Sequence, residues 1–383
     1  MRAAITGVGF IGAAHIEALR RLGGIDIVAI ADPADAEKKA QAFFVPRAYA
    51  DYKTMIDTEK PDVIHVCTPN ETHCEASMYA IEQGIHVLCE KPLAVDAQQA
   101  EKMTRAAQEK GVVCGVNFIN RFYPMAFQMR ECIREGRVGR IFSIHGGYLQ
   151  DWLFYDADYS WRLESKISGK TRAASDIGSH WMDLCEFVTG QKITEVCAEF
   201  TAFHSTRKKP KKTPETFSNM LLTPEDYTEV PIDTEDYASL LFRTDGGALG
   251  SAILSQCFAG RKNQMTLAVS GNKSSLYWDS EDACRLWMGY RDRPNELWEK
   301  DPAILSSNTR KWTNFPGGHV EGYPDTIKQV FRSFYQAVTE GGAGSYDFAD
   351  FAAGARQMVL CEALMQSAQE RKWIKVDALK LMN

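Results

Sequence analysis

The sequence predicts an α/β protein: a doubly wound parallel sheet at the N-terminus, followed by an α/β domain built on a large, mostly antiparallel open sheet. Three observations carry this. Short apolar runs alternate with helical patterns over the first 120 residues. A Gly-rich turn joins the first run to the first helical pattern. After Arg121 the pattern changes to longer strand-like runs punctuated by Gly-containing turns.

In the first part the candidate strands are AAIT (3–6), IDIVAIA (25–31), DVIHVCT (62–68), IHVLCE (85–90) and VVCGVNF (112–118). Helical patterns fall at 13–22, 71–83 and 96–110, the last two stopped by Gly84 and Gly111. Strand-helix-strand repetition at this spacing gives parallel βαβ units. In the second part the runs are 140–149, 193–203, 237–244, 248–258, 264–270 and 274–280. Asp245-Gly246-Gly247 and Gly271-Asn272-Lys273 sit between neighbouring runs as hairpin turns. Two helical segments, 324–340 and 348–372, finish the chain. A length of 383 residues exceeds what one core usually organises. The expected domains are 1–122 and 123–383, with the C-terminal helices free to pack back near the first.

Composition narrows the function. With 45% hydrophobic and 25% charged residues and a net charge of -6, nothing calls for nucleic acid or an anionic membrane as partner. The one basic cluster, Arg207 to Lys212, has Ser, Thr and Pro around it and reads as a solvated surface loop. Ten cysteines without a CxxC pair suit a reducing cytosol, and Cys67, Cys89 and Cys114 read as small buried hydrophobes. The start MRAAITGVG lacks the apolar core of a secretion signal and no run reaches membrane-spanning length, so the expected location is cytoplasmic.

Gly7-Val8-Gly9-Phe10-Ile11-Gly12 follows the first strand and opens the first helix, and Asp32 ends the second strand. Dinucleotide binding asks for this arrangement. Gly7 allows the tight turn, Gly9 lets backbone approach the pyrophosphate, Gly12 permits close helix packing, and the helix N-terminus attracts phosphate. Asp32 would accept hydrogen bonds from the ribose hydroxyls and repel a 2′-phosphate, and neighbouring Pro33 and Ala34 offer no compensating cation. NAD is therefore expected ahead of NADP. Thr68, Pro69, Asn70 and His73 follow the third strand, and Glu90, Lys91 and Pro92 the fourth, where a doubly wound sheet opens its ligand crevice. Lys91, restricted to an extended backbone by Pro92, would point its ammonium into that crevice. His73 reads equally as a core histidine or a ligand contact.

GVGFIG, CTPNETH (67–73), CEKPLA (89–94), NRF (120–122) and DIGSHWMD (176–183), in this order, resemble the Gfo/Idh/MocA family, that of glucose-fructose oxidoreductase and inositol dehydrogenase. The match extends through GGHVEGYPD (317–325) and WIKV (373–376). The resemblance implies a Rossmann domain, a sheet domain through which copies assemble as dimers or tetramers, and Lys91, Asp176 and His180 beside the nicotinamide. The expected cofactor set is Gly7, Gly9, Phe10, Ile11, Gly12, Asp32, Thr68, Pro69, Asn70, His73, Glu90, Lys91 and Asn117.

Oxidising a secondary alcohol removes a hydride from carbon and a proton from oxygen, and histidine is the usual proton acceptor near neutral pH. His180 is the candidate acid/base, Lys91 the group that stabilises charge on the reacting oxygen, and Asp176 an orienting carboxylate. A helix start would favour neutral His180 by about 0.3–1 kcal/mol, and a nearby Asp176 would oppose it by roughly 1–3 pKa units. A titrating His180 is expected, in neither direction by preference. Asp183 reads as structural and Arg121 as an ion pair at the domain hinge. Trp161-Arg162 resembles a pair found near the active site in many members of the family and is a candidate substrate or cofactor contact, with interface packing as the alternative. Tyr148, Gln150, Asp151 and Trp152 form a candidate sugar-facing wall, His319 reads as a loop residue, and no cluster has metal-ligand spacing. Three functions fit: an NAD-dependent dehydrogenase of sugars, glycosides or cyclic polyols; a redox-neutral glycosidase with catalytic NAD; and a nucleotide-sensing regulator without turnover, against which the intact Lys91, Asp176 and His180 count.

Overall fold

The computed structural model describes residues 1–211, 224–342 and 344–376. Its first sheet has seven strands in the order Ala349–Asp350, Cys114–Val116, His86–Cys89, Val63–Val66, Arg2–Thr6, Asp26–Ala31, Ala48–Tyr49. All neighbours run parallel except the first pair. Val63–Val66 is buried at all four positions, as befits a strand covered on both faces. The order reverses between Arg2–Thr6 and Val63–Val66, which opens the crevice at the carboxyl ends of these two strands.

Two of the expected helices end at the glycines the sequence marks. Asp96 accepts the Gln99 amide at 2.7 Å to cap helix Ala97–Lys110, and Gly84 and Gly111 take the left-handed conformation that ends a helix. The sequence gives no warning of strand Ala48–Tyr49 or of helices Ala36–Ala42 and Tyr52–Glu59. Two strand residues are too few to show a period, and AEKKAQA buries only Ala40.

The second sheet has nine strands: Glu296–Glu299, Arg285–Gly289, Ser275–Asp279, Gln264–Gly271, Ile141–Leu149, Leu249–Ser255, Tyr237–Thr244, Ile193–Thr201 and Ile374–Lys375. Only Ile141–Leu149 and Leu249–Ser255 pair in parallel. Helices Pro124–Arg134, Ser179–Thr189 and Phe351–Glu370 cover one face with a core that includes Met129, Trp181, Leu184 and Leu364. Strict alternation in Tyr237–Thr244 puts Ala238, Leu240 and Phe242 in that core and leaves Leu241 outside. On the uncovered face Phe142, Leu241, Leu249, Ile253, Tyr277 and Trp287 are exposed.

The C-terminal part returns to the first sheet. Ala349–Asp350 adds an antiparallel edge strand beside Cys114–Val116, and helix Tyr323–Thr339 packs Phe331 and Phe334 into the same core as Ile16 and Leu19 of helix Phe10–Leu22.

The basic run is not a solvated loop. Residues Thr206–Pro210 form a strand paired with Tyr227–Pro231, Arg207 is buried, and Lys208 and Lys209 pair with Asp156 and Glu164 at 2.8 and 2.7 Å. A buried acidic partner, Asp236, 2.7 Å from the Arg207 guanidinium, explains the difference. Lys212 lies outside the described residues.

Candidate active site

The Gly-rich turn is shaped as nucleotide binding requires. Gly7 has φ +82°, and a Cβ there would lie 2.7 Å from the backbone of Cys67 and Thr68. On Gly12 a Cβ would lie 2.2 Å from the Gly7 carbonyl, whereas on Gly9 it would meet nothing within 4 Å. The turn is thus packed on its inner side and open at Gly9, where helix Phe10–Leu22 begins. Phe10 is exposed beside it. We expect Gly12→Ala to weaken NADH binding by about tenfold or more, equivalent to roughly 1.4 kcal/mol, because the turn must open; fluorescence titration with NADH measures it.

Asp32 accepts the amides of Val8 and Ala34 at 2.7 and 2.9 Å, which fixes its carboxylate at the end of its strand. Pro33 and Ala34 supply no cation, but Lys39 does: its Nζ lies 2.9 Å from Asp32 Oδ2. Helix Ala36–Ala42 turns Lys39 back onto the strand end, a neighbour invisible to a reading limited to Pro33 and Ala34.

At the ends of the next two strands the polar residues divide. Thr68 receives the Thr72 hydroxyl at 2.6 Å, and the Asn70 amide reaches across to the Ser168 carbonyl at 3.0 Å, drawing the two parts of the chain together behind Pro69. His73 is removed from the cofactor set. It is buried between two carbonyls, Nδ1 2.9 Å from that of Pro92 and Nε2 2.8 Å from that of Thr68, and the neutral ring, with one N–H, donates to one of them. Glu90 also faces inward, bonded to His15 Nε2 at 2.9 Å and to the Asn117 amide at 2.6 Å. Burial opposes its charge, yet these hydrogen bonds hold its pKa down to about 2. A carboxylate only accepts, so His15 donates from Nε2. His15 Nδ1 lies 2.9 Å from His65 Nδ1, and His65 Nε2 lies 2.9 Å from the Tyr335 hydroxyl. Asn117, turned by Glu90, keeps its buried Oδ1 without a partner among the described residues. That orphaned acceptor at the crevice, together with the open Gly9 and the fixed Asp32, fits a nicotinamide dinucleotide.

Lys91, Asp176 and His180 do converge. Lys91 Nζ lies 2.8 Å from Asp176 Oδ1 and 3.1 Å from its carbonyl; Arg162 Nε stands 3.5 Å from the same Oδ1, and Gln256 Nε2 donates to Oδ2 at 2.8 Å. Asp176 sits in the π-helical turn Ala173–Gly178 that feeds helix Ser179–Thr189. His180 lies in the first turn of the helix. Its neighbour Trp181 donates to the Thr266 carbonyl at 2.9 Å and pins the helix to the sheet, in space left by Gly146. The His180 ring meets Phe118 edge-on at 5.5 Å and stands 6.2 Å from Tyr148, and its buried Nδ1 has no partner among the described residues.

Burial would raise the Asp176 pKa, but Lys91 and Arg162 hold it well below the carboxylate range. For His180 burial and Lys91 together outweigh the pull of Asp176, and its pKa falls to about 3. The direction that the sequence left open is thus downward, and the imidazole is neutral at pH 7. Burial depresses His65 and His73 in the same direction. Below about 6.5 an unfolded histidine takes a proton that these three resist, so stability is full above that pH and is lost as pH falls towards the folded values. Thermal melts should show a lower midpoint at about pH 5.5 than at about 7.5; an unchanged midpoint would contradict buried neutral histidines.

Above the trio, Arg162 lies 4.5 Å from the Trp161 ring and 5.7 Å from that of Trp152. Trp152 donates to Gln150, while Gln150 and Tyr148 both donate to Asn263, each at 2.7 Å. Asp151 instead pairs with Lys262 at 2.7 Å, and His319 is exposed in its loop. Arg121 chelates Asp183 at 2.7 and 2.5 Å, which gives Arg121 the ion pair expected of it and Asp183 a structural place. Sequence reasoning missed Gln256, Arg172, Lys39 and the His15–His65 pair; the one signal was a histidine inside the apolar run VIHV, which needs a buried partner.

Two family models match the chain: "Oxidoreductase family, NAD-binding Rossmann fold" over residues 1–118 and "GFO/IDH/MocA C-terminal domain" over 127–277. The chain belongs to the Gfo/Idh/MocA family. Its cofactor domain is thus an NAD-binding Rossmann domain of that family. Among Gfo/Idh/MocA-type relatives, levoglucosan dehydrogenase of Pseudarthrobacter phenanthrenivorans is 27% identical over 369 residues, covering 92% of this chain and 90% of the relative. A solved levoglucosan dehydrogenase in complex with NADH and levoglucosan superposes with a TM-score of 0.87 at 26% identity, covering 98% of this chain and 99% of the other. An oxidoreductase domain protein from Kribbella flavida gives 0.86 at 29%, covering 98% of each chain. Among the described residues no helix is long and apolar enough to cross a membrane.

Proposed function

We propose that this Gfo/Idh/MocA member oxidises a secondary hydroxyl of a sugar, glycoside or cyclic polyol, passing the hydride to NAD+. The carrying observation is the meeting of an ammonium and a neutral imidazole in one cleft: Lys91 braced by Asp176 at 2.8 Å, with His180 beside them. Bound NAD+ supplies the hydride acceptor. The substrate hydroxyl would lie between Lys91 Nζ and the His180 ring, so that His180 takes its proton and Lys91 offsets the charge on oxygen. Asp176 accepts on both oxygens and so serves as the brace for Lys91 and Arg162 rather than as the base. Trp152, Trp161 and Tyr148 offer apolar surface and Arg162 offers donors, a mixture that suits a molecule with hydroxyl rims and C–H faces. Similarity over nearly the whole length to a levoglucosan dehydrogenase supports the same class.

The test is incubation with NAD+ and a panel of levoglucosan, methyl glucosides and myo-inositol, following nicotinamide absorbance and products. Stoichiometric NADH and ketone are expected from at least one compound. Aglycone release without NADH would mean the redox-neutral route instead, and no reaction across a broad panel would sink the reading. The uncovered sheet face, with six exposed large apolar side chains from Phe142 to Trp287, is proposed as the seat of a second copy of this chain. Sedimentation equilibrium should return a dimer or tetramer; a monomer at micromolar concentration would refute it.

A further inference from the structure

We infer that Gln256 is a positioning residue for this reaction, coupling the Asp176 carboxylate to a buried ion cluster of Arg172, Asp236 and Arg207 that also fixes the loop bearing the substrate wall. Arg172 and Asp236 are wholly buried and Arg207 nearly so. One Asp236 oxygen receives both guanidiniums, at 2.5 Å from Arg172 and 2.7 Å from Arg207; the other receives the amides of Phe203 and His204 at 2.8 and 3.2 Å. Arg207 Nη1 and Nη2 also donate to loop carbonyls, Leu153 at 2.9 Å, Tyr155 at 2.8 Å and Asp158 at 3.2 Å, while its buried Nε has no partner among the described residues. Those carbonyls belong to the segment between Trp152 and Trp161.

Arg172 reaches the other way, donating from Nη1 to Gln256 Oε1 at 2.8 Å. A guanidinium can only donate, so the Gln256 amide has a single allowed orientation, oxygen toward Arg172 and NH2 toward Asp176 Oδ2 at 2.8 Å. With Oδ2 occupied, Oδ1 is left for Lys91 at 2.8 Å and Arg162 at 3.5 Å. The ammonium is therefore aimed by a rigid chain running from Arg207 through Asp236, Arg172 and Gln256 to Asp176. The charged and titratable groups facing Asp176 are Lys91, Arg162, His180 and Tyr148, with Arg172 behind Gln256.

The inference rests on the oxidoreductase reading, and two readouts keep the two apart. Gln256→Leu removes the donor to Oδ2, and Gln256→Glu puts a second carboxylate against it at nearly the same size. With the panel compound that the wild type oxidises, kcat should fall by about 100-fold in both variants, the loss typical of a displaced reacting group, while KM changes little. A like charge or a lost donor disfavours the ionised Asp176 that braces Lys91, so the loss should fall on kcat and be larger in the Glu variant than in the Leu variant. Wild-type kcat, or a loss carried by KM with kcat unchanged, would overturn the proposal. The substrate-free crystal structure of Gln256→Leu reads the same point without any substrate. Loss of the Lys91–Asp176 contact supports the inference, and its retention at 2.8 Å refutes it even if the panel yields no turnover. Should the Leu variant not fold, the near-isosteric Glu variant carries both readouts.

Discussion

His180→Ala is expected to lower kcat by about 10²–10⁴-fold, the usual contribution of a positioned acid or base, while leaving NADH affinity near the wild-type value. The ring contacts Phe118 and Tyr148, and its Nδ1 makes no hydrogen bond among the described residues, so its removal breaks no polar contact of the cofactor cradle. Because burial and Lys91 keep its pKa near 3, the base form is fully available at neutral pH and below. The free enzyme should then show no fall in kcat/KM from His180 between about pH 5 and 8. Asp176 and Glu90 favour the imidazolium that proton transfer creates, which eases the step without making the resting ring charged. A variant within tenfold of wild type, or one that loses NADH binding, would take proton transfer away from His180.

Asp236→Leu should destabilise the fold by about 3–5 kcal/mol, the effect of removing one partner from a buried ion pair. The substitution strands two guanidiniums, Arg172 and Arg207, in a water-poor site, and frees the amides of Phe203 and His204. Urea unfolding followed by tryptophan fluorescence measures this. A loss under about 1 kcal/mol would mean that water reaches the cluster and screens it. Replacing Arg207 together with Asp236 by apolar residues should recover part of the loss, since uncompensated charge is the larger cost.

The cofactor cradle was readable in the sequence because it is local: Gly7, Gly9 and Gly12 act within one strand-turn-helix, and Asp32 closes the next strand. Lys91 was readable from its place at a strand end. Asp176 and His180, four residues apart, gained their meaning from the resemblance, since no local rule distinguishes them from a capped helix. What escaped depends on partners far along the chain. Gln256 meets Asp176 across 80 positions, and Arg207 meets Asp236 across 29, so a run of basic residues looked like solvated surface. His73 stayed open between a core and a ligand role because the Pro92 carbonyl beside it comes from another loop 19 residues away. The direction of the His180 shift turned on burial, which a sequence does not state.

Strand Ala349–Asp350 has a consequence for biogenesis. While the nascent chain is on the ribosome, the strand Cys114–Val116 waits with an open edge for more than half of synthesis, because its neighbour on that side is made near the end. Phe348, which packs on Gly115 and completes the same corner, is equally late. Such an edge is a template for mispairing. A fragment ending at residue 122 would keep it bare permanently and should aggregate where the whole chain does not.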